Sequence, residues 1–223
     1  MLPLGDASRR PVHSPVVTRA IILVNVFVFL LEIINGEPFI RQWALVPAEI
    51  TSGHHWITIL TAMFLHSGWA HLLGNMLFLW AFGPEIEDVM GRGRYLAFYL
   101  LGGVVATVAQ IAASPTSTIP NLGASGAIAA VMGAFLATYP RDRIRTIVFL
   151  GWYVTVALIP AMVLVGLWFV AQLFSEVGAL ATVQTSGVAY LAHIGGFMMG
   201  LITARLFEEP ERLAYQHWNG LER

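Results

Sequence analysis

The 223-residue chain has no cysteine and no lysine. Without cysteine there is no disulfide, no thiolate nucleophile and no cysteine-based metal centre. Without lysine, every fixed cation is an arginine. Charge of either sign is scarce: 11% of residues are charged, against about 25% in a soluble domain. The formal net charge is −1, which excludes the basic excess of a nucleic-acid binder. What fills the chain instead is apolar: 57% of residues are hydrophobic. No small-residue cleavage site closes the first long apolar run, so no cleavable leader is expected.

A bilayer core takes about 20 apolar residues as helix. Six runs fit this requirement or approach it, at about 16–34, 69–82, 95–113, 125–139, 161–177 and 188–207. Pro140 stops the fourth, and Pro160 suits the start of the fifth. The expectation is an all-α membrane protein, a six-transmembrane-helix bundle over 16–207. Residues 1–15 and 208–223 then form cytoplasmic terminal segments. With the N-terminus inside, every arginine except Arg41 falls on the cytoplasmic side, a strong positive-inside bias. The stretch 143–159 is apolar but rich in Val, Ile, Thr and aromatics around Gly151. It reads as an interfacial or hairpin-like element, since a seventh span would break the arginine pattern. The long first outer loop, 35–67, carries aromatic and apolar residues suited to the headgroup region.

Polar groups inside spans are costly and are functional candidates by default. The second run carries His71 and Asn75, one turn apart. The fourth opens with Ser125, and the sixth holds His193 about two turns in. These are the even-numbered helices, so all three start on the outer side. At 1.5 Å per residue, His193 lies roughly 9 Å below the outer end of its helix. The fourth helix, roughly 22 Å long, is too short to cross alone. Its inner end is held by Pro140 and the arginines, so Ser125 starts below the surface, in one layer with His193, His71 and Asn75. Stripes of small residues (Gly126, Ala130, Ala134; Ala192, Gly196, Gly200) permit a close approach of the fourth and sixth helices.

Serine becomes a nucleophile when a neighbouring imidazole takes its proton. Ser125 stands at a helix N-terminus, where free N–H groups and the dipole favour a developing oxyanion. His71 and Asn75 add side-chain donors, while Gly123 and Gly126 allow a tight turn beside the serine. All three aspartates (Asp6, Asp88, Asp142) fall on the cytoplasmic side, so the chemistry reads as a Ser–His dyad with no metal and no cofactor.

At these residues the chain resembles a rhomboid intramembrane protease. The motifs are Gly123-Ala-Ser125-Gly126 with Gly133; His66 and His71-Leu-Leu-Gly-Asn75; Gly83-x-x-x-Glu87-x-x-x-Gly91; and Ala192-His193-Ile-Gly-Gly196-x-x-x-Gly200. The resemblance covers nearly the whole stretch from Val16 to Phe207. It implies a six-helix fold around a water-filled cavity open to the outer side. It implies Ser125 as nucleophile, His193 as general base, and His71, Asn75 and the Ser125 amide as the oxyanion site. Glu87 would be structural. Substrates would be single-span membrane proteins cut near the outer face of an inner cell membrane. Family members often place an aromatic ring four positions after the serine, against the histidine. Ala129 stands there in this chain and leaves the seating of His193 open. Trp168 and Phe169 are candidates for the border of a lateral substrate gate.

Three other readings compete. An inactive rhomboid-like protein would bind membrane clients, yet such proteins usually lack the serine or the histidine. A metalloprotease or metal transporter would use His66, His71 and His193, but no His-Glu-x-x-His helix is present. No intramembrane carboxylate lies near the histidines; Glu32, near the outer end of the first helix, is the only candidate. A transporter of the inverted-repeat kind would show a repeated half and paired interrupted helices, and neither is seen. The substrate's identity and the oligomeric state are not encoded in any motif.

Overall fold

Alternation of branched and aromatic residues with arginines and threonine makes 143–160 a strand pair rather than a helix. The computed structural model, which describes residues 1–182 and 190–221, contains that hairpin within a mostly helical chain. In order the elements are β1 (Leu2–Asp6), α1 (Val16–Asn35), α2 (Glu37–Trp43), α3 (Pro47–Thr51) and α4 (Thr58–Thr61), which leads into a 3₁₀ turn at Ala62–Phe64. Then come α5 (Trp69–Met90), α6 (Arg92–Ala113), α7 (Ser125–Thr138), β2 (Arg143–Leu150), β3 (Tyr153–Pro160), α8 (Ala161–Thr182), α9 (Tyr190–Phe207) and α10 (Pro210–Leu221).

The core is built around α7. Every residue from 126 to 135 is buried, because α5, α6, α8 and α9 all pack on it. Its small residues decide how close they come. A Cβ added at Gly196 of α9 would lie 2.1 Å from the Gly126 carbonyl oxygen, and one at Gly200 would lie 1.9 Å from the Ala130 carbonyl oxygen. On the α6 side, a Cβ at Gly102 would meet the Ala130 Cβ at 2.5 Å. Backbones in such contact gain dispersion over a long seam without ordering long side chains.

The outer surfaces of the helices are apolar. Leu23, Phe27, Leu73, Phe174, Ile202 and Leu206 are all exposed. Such a surface has no stable place in water and fits lipid. By length and composition alone, α1 and α6 are the two described helices able to cross a bilayer, while α7 and the apolar stretches 161–174 and 191–207 are shorter.

The structure corrects the sequence reading in four places. The chain is not all-α: β1, β2 and β3 form an antiparallel sheet in that order. Gly151, at φ +65°, opens the two-residue loop that joins β2 to β3, as such hairpins require. β1 was missed because five residues containing a proline and a glycine carry little strand signal, and a bulge between Pro3 and Gly5 accommodates them. α5 continues past 82, through Pro84, to Met90. Its charged last turns looked like an end in sequence, but partners from the N-terminal segment satisfy two of those carboxylates. Glu87 accepts the Val17 and Thr18 N–H groups at 2.9 and 2.7 Å and the Thr18 hydroxyl at 2.8 Å. Asp88 accepts the Val12 and His13 N–H groups at 2.8 and 3.0 Å. Glu87 thereby caps α1, whose own residues supply no side-chain cap. Within the terminal segment 208–223, residues 210–221 form the helix α10, which the apolar runs did not indicate. Of the last apolar run, 188–189 lie outside the described residues.

Arg9 ties the sheet to the bundle through a two-pronged ion pair with Asp142 and a seat 3.8 Å from the Tyr139 ring centroid. These groups, with Asp6 and Asp88, lie at the ends of α5 and α7 away from Ser125.

Candidate active site

Ser125 is the first residue of α7. The first bond of that helix runs from the Ile128 N–H to the Ala124 carbonyl at 3.0 Å. The N–H groups of the preceding residues therefore have no intrahelical acceptor, and the positive end of the dipole faces the serine. The loop before it is held on both sides. Leu45 and Asn121 exchange backbone bonds of 3.0 and 2.7 Å, and the Gly123 N–H donates to the Ala62 carbonyl at 2.8 Å.

His193 reaches Ser125 from α9. Its Nε2 lies 2.7 Å from the Ser125 Oγ, within ordinary O–H···N range. The close α7–α9 seam makes this possible, because Gly126 follows the serine directly and Gly196 lies three residues after the histidine. On its other side the ring meets α8: Nδ1 lies 2.7 Å from the Gln172 Oε1, and the Trp168 ring centroid is 5.9 Å away. Trp168 thus stands against a ring that Ala129, fully buried in α7, cannot reach. Phe169 does not border the site but stacks on Phe197 at 4.4 Å.

The second helix of the polar layer is α5. The Ser67 N–H donates to His71 Nδ1 at 3.3 Å, with the Ser67 hydroxyl 3.1 Å from the same atom. A neutral ring that accepts at Nδ1 carries its proton on Nε2. That edge faces Gly123: a Cβ there would lie 2.9 Å from both His71 Cε1 and Nε2. Gly123 also sits at φ +131°, so both space and backbone call for glycine. Asn75, one turn on, is buried, and its Nδ2 has no hydrogen-bond partner among the described residues. A buried donor left open is expensive.

A cavity of about 380 Å³ joins these groups, lined by His71, Asn75, Ser125, Trp168 and His193 together with Ser67, Gly74 and Met132. The structure therefore brings Ser125, His193, His71, Asn75 and Gly123 to one place. His66 stays behind it, its ring buried 5.1 Å from that of His71. Its backbone N–H is held by Glu32 at 3.1 and 3.2 Å, which uses that carboxylate for structure. Among the described residues no group of three or more histidines, cysteines or carboxylates could hold a metal ion. Gln172 was passed over in the sequence, although it is a polar residue in an apolar helix, one turn after Trp168. That signal alone would have drawn attention to it.

A half-buried serine hydroxyl on an imidazole, with open donors beside it in a helical core, has the geometry of a serine-nucleophile centre. The Rhomboid domain matches residues 53–209, and the chain belongs to the rhomboid family. It is 31% identical over 207 residues to the rhomboid protease GluP of Bacillus subtilis, covering 91% of this chain and 37% of that protein. It is 29% identical over 187 residues to the rhomboid protease GlpG of Pectobacterium atrosepticum, covering 84% and 61%. To the human presenilin-associated rhomboid-like mitochondrial protein it is 30% identical over 192 residues, covering 81% and 45%. The chain thus spans between about a third and three fifths of the length of these relatives.

Proposed function

We propose that the chain is an intramembrane serine endopeptidase that hydrolyses peptide bonds in or near transmembrane segments of membrane proteins. The observation that carries this is the 2.7 Å contact of Ser125 Oγ and His193 Nε2 at a cavity that also holds the unpartnered Asn75 amide. In this reading His193 Nε2 takes the Ser125 proton as Oγ attacks the scissile carbonyl carbon. The C=O π pair moves onto oxygen. The resulting oxyanion is met by the Asn75 Nδ2–H, the His71 Nε2–H and the Ser125 N–H. As the tetrahedral species collapses, the imidazolium returns the proton to the leaving amine. Water, deprotonated by the same nitrogen, then releases the acyl group. Every proton is carried by the dyad, so the reaction uses no cofactor.

The six apolar helices α1, α5, α6, α7, α8 and α9 are the spans of this reading, crossing an inner cell membrane with both termini cytoplasmic. The arginine distribution and the lipid-suited helix surfaces support it. The substrates are single-span membrane proteins, whose cleaved segment must unwind to bring its carbonyl to the serine.

The test uses purified parent and Ser125→Ala protein in detergent, each given a fluorophosphonate probe and a labelled single-span substrate. Labelling and cleavage by the parent alone support the reading. A folded parent protein inert to both would instead favour a rhomboid-like protein that binds membrane clients.

A further inference from the structure

We propose that Gln172 is a positioning residue for His193: its side-chain carbonyl holds the Nδ1–H tautomer and so leaves Nε2 able to accept the Ser125 proton. The inference rests on the Ser–His reading above and adds a third member from α8.

A neutral imidazole carries one N–H. If it sits on Nε2, both that atom and the Ser125 hydroxyl are donors, and no proton can pass. The base is competent when the hydrogen is on Nδ1, which then needs an acceptor. Gln172 Oε1 stands 2.7 Å from Nδ1, while Nε2 stands 2.7 Å from Ser125 Oγ. The two contacts lie on opposite edges of one ring, each at the length of a well-formed bond. Trp168, one turn earlier on the same face of α8, presents its ring 5.9 Å from the imidazole, so one helix both orients and backs the base. When His193 takes the proton, the amide oxygen still faces an N–H and its dipole still opposes the new positive charge. Unlike a carboxylate, it adds no net charge to a site surrounded by lipid.

The experiment compares parent, Gln172→Leu and Gln172→Glu protein in detergent, with Ser125→Ala as the reference for the dyad. It reads the fluorophosphonate labelling rate, kcat and KM on one single-span substrate, and the pH–rate profile. Gln172→Leu keeps the volume and removes the acceptor. It should lower both the labelling rate and kcat by about 10–100-fold, in the range seen when a histidine's orienting partner is lost, with KM within about threefold. Gln172→Glu restores an acceptor and adds a negative charge. It should recover most of the rate at alkaline pH and move the acid limb of the profile to higher pH. A Leu variant within twofold of the parent, with an unshifted profile, overturns the proposal. So does a Glu variant no faster than the Leu variant, because the amide then acts only by packing. If Ser125→Ala keeps its activity, it is the dyad reading itself that fails.

Discussion

The α7–α9 seam makes a quantitative demand on one glycine. In Gly196→Ala, the new Cβ would lie 2.1 Å from the Gly126 carbonyl oxygen and 3.0 Å from its carbon. Ordinary C···O contact begins near about 3.3 Å. The helices must therefore part by about 1.2 Å at this level, because both contacting atoms are backbone. Ser125 precedes Gly126, and His193 lies less than one turn from Gly196, so the dyad takes most of that movement. Its 2.7 Å contact opens toward an upper bound of about 3.9 Å, beyond hydrogen-bond range. Overpacking of this kind costs about 1–3 kcal/mol, which leaves the protein folded. Loss of the general base costs about 10²–10⁴ in rate. The assay is the fluorophosphonate labelling rate of Gly196→Ala, with its thermal unfolding midpoint measured in the same detergent. Gly166→Ala is the control, since a Cβ there meets nothing within 4 Å and should change neither quantity. A folded Gly196→Ala protein that labels within threefold of the parent would refute the claim that this seam sets the dyad.

Three further expectations follow from the same structure. Asn75→Ala should lower kcat about 10²–10³-fold with little change in KM, as loss of one oxyanion donor does; a rise in KM with kcat unchanged would assign Asn75 to ground-state binding. Glu87→Ala leaves the Val17 and Thr18 donors unpaired and should cost about 1–3 kcal/mol in denaturant unfolding, with the labelling rate of the folded fraction unchanged. The Asp6 carboxyl is pushed up to about 7 by burial, and next by the neighbouring Asp142 carboxyl, from 3.8 in the free side chain. The folded state therefore binds this proton more tightly than the unfolded one. The stabilisation is complete below about pH 4 and is lost as pH rises through about 7. The melting midpoint should fall between pH 5 and pH 8 in the parent and fall less in Asp6→Asn; equal slopes would exonerate Asp6.

The site was more legible in the sequence than the fold's periphery, for a physical reason. A polar side chain in an apolar helix is expensive, so Ser125, His193, His71 and Asn75 stood out against their surroundings. The short length of α7 is the ground for expecting them in one layer. The small-residue stripes marked the seam that joins them. Gln172 has the same signal, but its place beside His193 depends on how α8 packs against α9, which no local pattern reports. β1 could not have been read from its own residues: Leu2–Asp6 is a strand only because β2 offers it an edge. The end of α5 was hidden likewise. Its carboxylates resemble the close of a span until Val12, His13, Val17 and Thr18 arrive from a distant part of the chain. Local pattern reports burial and period, whereas long-range pairing supplies what the pattern lacks.

The pairing of β1 with β2 also sets a clock on biogenesis. Leu2 pairs with Ile147 and Asp6 with Ile144, so the first strand made has no partner until well over half the chain has been translated. At about 5–20 residues per second, the N-terminal segment waits roughly 7–30 s. Once residue 87 has been made, α1 and α5 can already meet through Glu87, while Arg9 has no Asp142 to grip. Completion of this end of the bundle is thus deferred until α7 and β2 have been synthesised.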